Sequence, residues 1–201
     1  MRLASFFICF LFAGTTLFSC KNDVKNDNVE GPETIVDSTV VENVKENQVE
    51  QKAIANSVLA KLMTTDETRT FTRYMISAGL TDVISKGKGP YTIIAPSNEA
   101  FSKLSKATLD SLVGQSNNQT LQTVLKGHVI VGDFSSASIL QAVKNGEHTL
   151  PTLGGTSITF FMEGSNLLVK DASGAVAKLG KTDILSANGQ VHVIDAVLGN
   201  F

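Results

Sequence analysis

Gly89-Pro90-Tyr91-Thr92-Ile93-Ile94-Ala95-Pro96-Ser97-Asn98-Glu99-Ala100-Phe101 is the stretch on which the fold of this chain turns. Tyr91 to Ala95 has the β-branched and aromatic composition of a strand. Pro96 stops it, since proline brings no N–H to a ladder. Ser97 then stands where its hydroxyl can accept from the free amides of a following helix, and that helix carries Ala100, Phe101 and Leu104. A strand hands over to a capped helix within a few residues.

Upstream the pattern is helical. Val58, Leu59, Leu62 and Met63 share one face, and Phe71, Tyr74, Met75 and Ala78 form a second stripe. The second is opened by Thr64-Thr65-Asp66-Glu67 and closed by Gly79. Downstream, Ser105 is placed to cap a short helix with Leu109, Leu112 and Val113 inward, and Leu121, Val124 and Leu125 belong to another that Gly127 ends. From His128 onward the chain turns to β. Val129-Ile130-Val131 is short and apolar, while Ile139, Leu140 and Val143 suggest one last helical turn or two. Strands are expected over 157–162, 166–170 and 175–179. The three- and four-residue turns between them can join only antiparallel neighbours. Asn188-Gly189 is a strong hairpin signal, because both residues tolerate positive φ. It leads into Val191 to Leu198, an almost unbroken apolar run suited to a central strand covered on both faces. Asp195, set in that run, is expected to be buried and to need donors. Helices first and a meander second imply an α+β fold, with N-terminal helices packed on a mostly antiparallel sheet.

The N-terminal quarter has a different character. Arg2 precedes Leu3 to Leu17, an uncharged run of about the length of a signal-peptide core and short for a bilayer span. It ends in Leu17-Phe18-Ser19-Cys20, which resembles the lipobox of bacterial lipoproteins, with Phe18 bulkier than that pattern usually places there. The resemblance implies cleavage after residue 19 and fatty acylation of Cys20, an anchor that holds the protein to a membrane through several acyl chains. An ordinary signal peptide with an incidental cysteine is the alternative. Cys9, the other cysteine of two, would leave with the signal peptide. A mature chain so processed has no free thiol for nucleophilic, zinc-thiolate or iron–sulfur chemistry.

Residues 20–52 then read as a lipidated cysteine and an acidic tether. Eight acidic residues (Asp23, Asp27, Glu30, Glu33, Asp37, Glu42, Glu46 and Glu50) stand against Lys21, Lys25, Lys45 and Lys52, with no aromatic side chain. Such a stretch buries too little surface to offset its ordering entropy. As a coil it would hold the following domain on the order of 30 Å from the membrane. A short amphipathic helix around 40–49 is the alternative reading. Lys21 after the cysteine resembles an outer-membrane address, and Lys21-Asn22-Asp23 faintly resembles the export signals of surface lipoproteins. Residues 53–201 remain as one domain of ordinary size. Its charges nearly balance and no basic cluster exists, which removes the electrostatic footprint of nucleic-acid binding.

Within that domain the quoted stretch, preceded by Gly79-Leu80-Thr81-Asp82-Val83-Ile84, resembles the first signature block of the fasciclin domain. Asn188-Gly189-Gln190-Val191-His192-Val193-Ile194-Asp195 is similar to the second, in the right order and at the right distance. His128 lies between them, where the family has its own histidine. The resemblance implies a fasciclin-like α+β domain and a non-catalytic cell-envelope adhesion or interaction module that binds a protein or polysaccharide. It also points to residues. An Asp-Ile pair before the second block is tied to adhesion in animal fasciclin proteins and stands here as Asp183-Ile184. The Tyr-His pair of those proteins is Gly127-His128 here, so the tyrosine is lost. Asp183, Ile184 and His128 are therefore the candidate partner-binding residues. For Asp183 the alternative is a loop carboxylate that accepts backbone amides, and His192 and Asp195 read as scaffold.

Other functions have less support in the residues. A small-ligand or stress-response module of the envelope would need a concave pocket. His128, His148 and His192 have no metal-ligand spacing, so no metal site or cofactor is expected. No nucleophile elbow or glycine-rich phosphate loop is present. A catalytic group would have to assemble in three dimensions, for instance from Ser97, His128 and Asp195.

Overall fold

The computed structural model of the chain describes residues 54–87, 89–114 and 118–199. The expectations for the signal peptide, Cys20 and the tether lie outside them. Helices α1 (Val58–Thr64), α2 (Arg69–Ser77) and α3 (Thr81–Ser85) precede strand β1 (Tyr91–Pro96). Then come α4 (Asn98–Ser102), α5 (Lys106–Val113), α6 (Asn118–Gly127), β2 (Val129–Val131) and α7 (Ser136–Ala142). Six strands complete the domain: β3 (His148–Pro151), β4 (Ser157–Glu163), β5 (Asn166–Asp171), β6 (Val176–Lys178), β7 (Ile184–Ser186) and β8 (Gly189–Ile194). The fold is α+β, as its sequence pattern implies.

The strands form two four-stranded sheets, ordered β2-β1-β8-β7 and β3-β4-β5-β6. The two signature blocks meet in the first. β1 runs parallel to β8 with Ile93 opposite Val191 and Ile94 opposite His192. Both strands are buried almost throughout, because each face of this sheet is covered. Tyr91, Ile93 and Ala95 pack with the helices, together with Phe71, Met75 and Phe101. Ile94 and Ile194 point the other way, into a second core with Ile158, Phe160 and Val169 of the meander. One two-residue period thus serves two cores.

Close contact at the start of the parallel pair demands a glycine. A Cβ on Gly189 would lie 1.8 Å from the Tyr91 carbonyl oxygen, and its φ is +144°. The hairpin expected at Asn188-Gly189 forms, but one residue earlier: Ser186 pairs with Gly189, so Ala187 and Asn188 make the turn. Asn188 does not take positive φ. It serves as a tie, with Oδ1 accepting from Val58 N (2.7 Å) and the backbone oxygen from Tyr91 N (2.9 Å).

Several other segments depart from their sequence pattern. β8 ends at Ile194, short of Leu198, because Asp195 turns outward. That residue is exposed, and its Oδ1 accepts from Lys178 N (2.7 Å). Met63 and Leu140 sit on exposed faces of their helices. Thr65 gives its hydroxyl proton to Lys61 O (2.7 Å) and does not cap α2. Asn98 supplies that tie, accepting from Thr70 N (2.8 Å) and donating to Asp66 O (2.7 Å). Ser97 and Ser105 cap α4 and α5 as expected, accepting from Ala100 N and Thr108 N. Gly79, at φ +71°, ends α2, with Leu80 N donating to Met75 O (3.0 Å).

Candidate functional site

The candidate residues lie at two places that use the same chemistry. The first is the Asp183–His192 tie. His192 stands on β8, and its ring reaches sideways to two loops. Asp183 N donates to Nδ1 (3.1 Å), which fixes that nitrogen as the acceptor. The ring proton of the neutral imidazole therefore sits on Nε2 and is donated to Phe134 O (2.8 Å). Asp183 completes the link from the other side: Oδ1 accepts from Ser136 N (2.8 Å) and Oδ2 from Ser136 Oγ. The segment before β7 is thereby fastened to the start of α7 and, through His192, to Phe134 just ahead of it. Beside it, Gln190 Nε2 donates to Asp133 Oδ1, and Gln190 Oε1 is buried without a hydrogen-bond partner.

Asp183 carries a backbone constraint as well. Its φ of +57° is the one positive value among the described non-glycine residues. Aspartate tolerates this left-handed conformation better than most side chains. Burial alone would raise its carboxyl pKa, but the two Ser136 donors, with the Thr182 hydroxyl and His192, outweigh it and hold the group below its usual value. Burial pushes the His192 imidazole down, against the pull of its Phe134 bond and of the Asp183 and Asp133 charges.

The second place is internal. His128 is 1% exposed, beside Phe71 with ring centroids 5.8 Å apart. Leu198 N donates to its Nε2 (3.1 Å), so Nδ1 carries the proton and gives it to Val124 O (2.8 Å). Desolvation pushes its pKa down to about 4, against the Val124 hydrogen bond and the Asp171 charge. Buried this way, His128 has no surface to offer a partner, and its geometry is that of a pin between α6 and the segment after β8.

Ile184 opens β7 opposite Val191 and is half-buried against the helical core. The next side chain is the outward one. Leu185 is 66% exposed on an edge strand of the first sheet. Sequence reasoning passed over it, although alternation from an inward Ile184 was signal enough. Ser136 was missed too, since nothing local marks a serine forty-seven residues away as the partner of Asp183.

The catalytic grouping of Ser97, His128 and Asp195 does not assemble. Ser97 Oγ is taken up by Ala100 N, Asp195 Oδ1 by Lys178 N, and His128 by Val124 and Leu198. Among the described residues no three His, Cys, Asp or Glu side chains converge as metal ligands, and no helix is long and apolar enough to cross a membrane.

Two four-stranded sheets, the first built on a buried parallel pair and packed by short helices, define the class. The chain belongs to the fasciclin family: the fasciclin domain model matches residues 66–200. It is 28% identical over 160 residues to Protein sll1483 of Synechocystis, covering 79% of this chain and 83% of that one. It is also 36% identical over 110 residues to the cell surface glycolipoprotein MPB83 of Mycobacterium bovis, covering 55% of this chain and 44% of the relative. Among solved structures it resembles a FAS1 domain pair from the insect cell adhesion molecule Fasciclin I. That match has a TM-score of 0.56 and 26% identity, over 67% of this chain and 45% of the insect chain. The chain thus spans less than half of the latter two proteins.

Proposed function

We propose that this protein is a lipid-anchored, non-catalytic interaction module of the bacterial cell envelope, held by acylated Cys20 to the outer membrane. Its fasciclin domain presents the β7 edge to a protein or polysaccharide partner. The observation that carries the reading is Leu185, an exposed leucine on an edge strand held in place by the Asp183–Ser136–His192 tie. An edge strand offers unpaired backbone groups and an outward side chain to a second molecule. The names of two relatives support the setting: one is a cell surface glycolipoprotein, the other a cell adhesion molecule. The Leu17–Cys20 motif supports the anchor.

In this role Asp183 and Ile184 shape the edge from behind. Their half-buried side chains leave the partner's direct contacts to Leu185 and to the backbone of β7. Protease added to intact cells is expected to remove the domain, and labelled fatty acid should enter the wild-type chain but not Cys20→Ser. Full protection from protease would overturn presentation at the cell surface, and equal membrane retention of Cys20→Ser would overturn the lipid anchor. Retention of the purified protein on matrix, polysaccharide or neighbouring cells should exceed that of an unrelated lipoprotein domain. Equal retention would overturn the interaction reading.

A further inference from the structure

A cavity of about 340 Å³ opens between the end of α6, the start of β4 and the β5–β6 turn. That volume is within the range of small-molecule sites. Its apolar wall is Val124, Ile158 and Leu198. Its room comes from Gly127. A Cβ at that position would meet only Thr156 Oγ1, at 3.8 Å. Gly127 also lacks a positive φ. Neither backbone nor packing therefore demands glycine there. It is the position at which the fasciclin resemblance places a tyrosine.

The polar groups of the cavity are of one kind. Ser173 Oγ gives its proton to Asp171 Oδ1 (2.7 Å), and Thr123 Oγ1 gives its own to Gln119 O (2.9 Å), so both hydroxyls are left as acceptors. Asp171 Oδ1 already accepts from Ser173 N, Ser173 Oγ and Ala175 N, whereas among the described residues Oδ2 accepts from Gly199 N alone. Thr156 Oγ1 is likewise engaged, with Thr152 Oγ1, so among the described residues a carboxylate and three hydroxyls line the site and no lysine or arginine does. Such a wall repels anions and leaves a donor on the ligand well matched.

We propose that this cavity binds a compact apolar molecule carrying one hydrogen-bond donor, a hydroxyl or an amine, and that it rejects carboxylates and phosphates of the same shape. The donor meets Asp171 Oδ2 while the apolar body lies over Gly127 between Val124, Ile158 and Leu198.

The test uses the full chain, labelled with nitrogen-15, and three single-ring probes of similar shape: p-cresol, benzylamine and 4-methylbenzoate. Saturable shifts are expected at the amides of Gly127, Thr156, Ser173 and Gly199 for the first two, with 4-methylbenzoate at least tenfold weaker. Gly127→Tyr fills the cavity and should abolish those shifts while the remaining spectrum keeps its dispersion. Should that variant not fold, Gly127→Ala reads the same point, with a severalfold loss of p-cresol affinity. Equal binding of the carboxylate, shifts spread evenly over the protein, or undiminished p-cresol binding by the folded filled variant would each overturn the proposal.

Discussion

His128 and His192 perform the same task in two regions and differ in what surrounds them. Each is a neutral imidazole that accepts from one backbone N–H and donates to one backbone carbonyl. His128 does this inside the helical core, joining α6 to the chain after β8. His192 does it at the sheet margin, where Asp183 and Ser136 add a second layer of bonds and β7 runs along the edge. The difference teaches that a histidine in a family signature is first a fastener. What it fastens decides which surface lies nearby: His128 holds Val124 and Leu198, which wall the cavity, whereas the His192 tie positions an exposed strand.

The largest expected effect separates the two regions by stability. His128→Ala removes two buried hydrogen bonds and leaves a void beside Phe71, and should cost about 4 kcal/mol in urea unfolding. A loss below about 1 kcal/mol would break the comparison, since the internal pin would then do no fastening.

Acid should report the same pin. His128 has a folded pKa of about 4 against an ordinary 6.5. Between these values the unfolded chain binds a proton that the folded chain refuses, so stability is complete above pH 6.5 and is lost as pH falls toward 4. The loss amounts to about 3 kcal/mol. His192, also depressed, adds in the same direction. Unfolding midpoints measured from pH 7 to pH 4 should fall steeply, and His128→Gln should flatten much of that slope. An unchanged slope in the variant would assign the acid sensitivity elsewhere.

The marginal tie should be weaker. Asp183→Ala loses the Ser136 bonds and keeps a positive φ on a residue that dislikes it, at about 2 kcal/mol, whereas Asp183→Gly relieves the backbone and should cost about 1 kcal/mol less. If glycine were as damaging as alanine, the strain at φ +57° would have no energetic weight. The smallest effect belongs to Asp195→Ala, which removes one exposed acceptor from Lys178 N and should cost less than about 1 kcal/mol.

Much of this was legible in the residues. The strand–proline–serine–helix handover at 91–101 formed as its local chemistry dictates, and so did the meander, because turn length and alternation are local properties. The parallel pairing of β1 with β8 was not legible, since nothing in either strand names a partner ninety-odd residues away. Asp195 was misjudged for a related reason. An apolar run looks continuous in sequence, yet the strand ends where Asp195 N finds Lys178 O (3.2 Å) on β6 of the other sheet. At the candidate site, the Asp-Ile pair was visible by resemblance, but the inward use of Asp183 depended on Ser136 and His192. Leu185 is legible by simple alternation from the inward Ile184, whereas the family resemblance marks only its neighbours.

The most direct test compares partner retention and melting temperature for Leu185→Ser and Asp183→Gly in parallel. The account predicts that Leu185→Ser melts like the wild type and loses retention, while Asp183→Gly, held at a temperature where it is fully folded, keeps most of it. If Leu185→Ser is retained as the wild type is and folded Asp183→Gly is not, the carboxylate is the contact and the edge-strand account is contradicted.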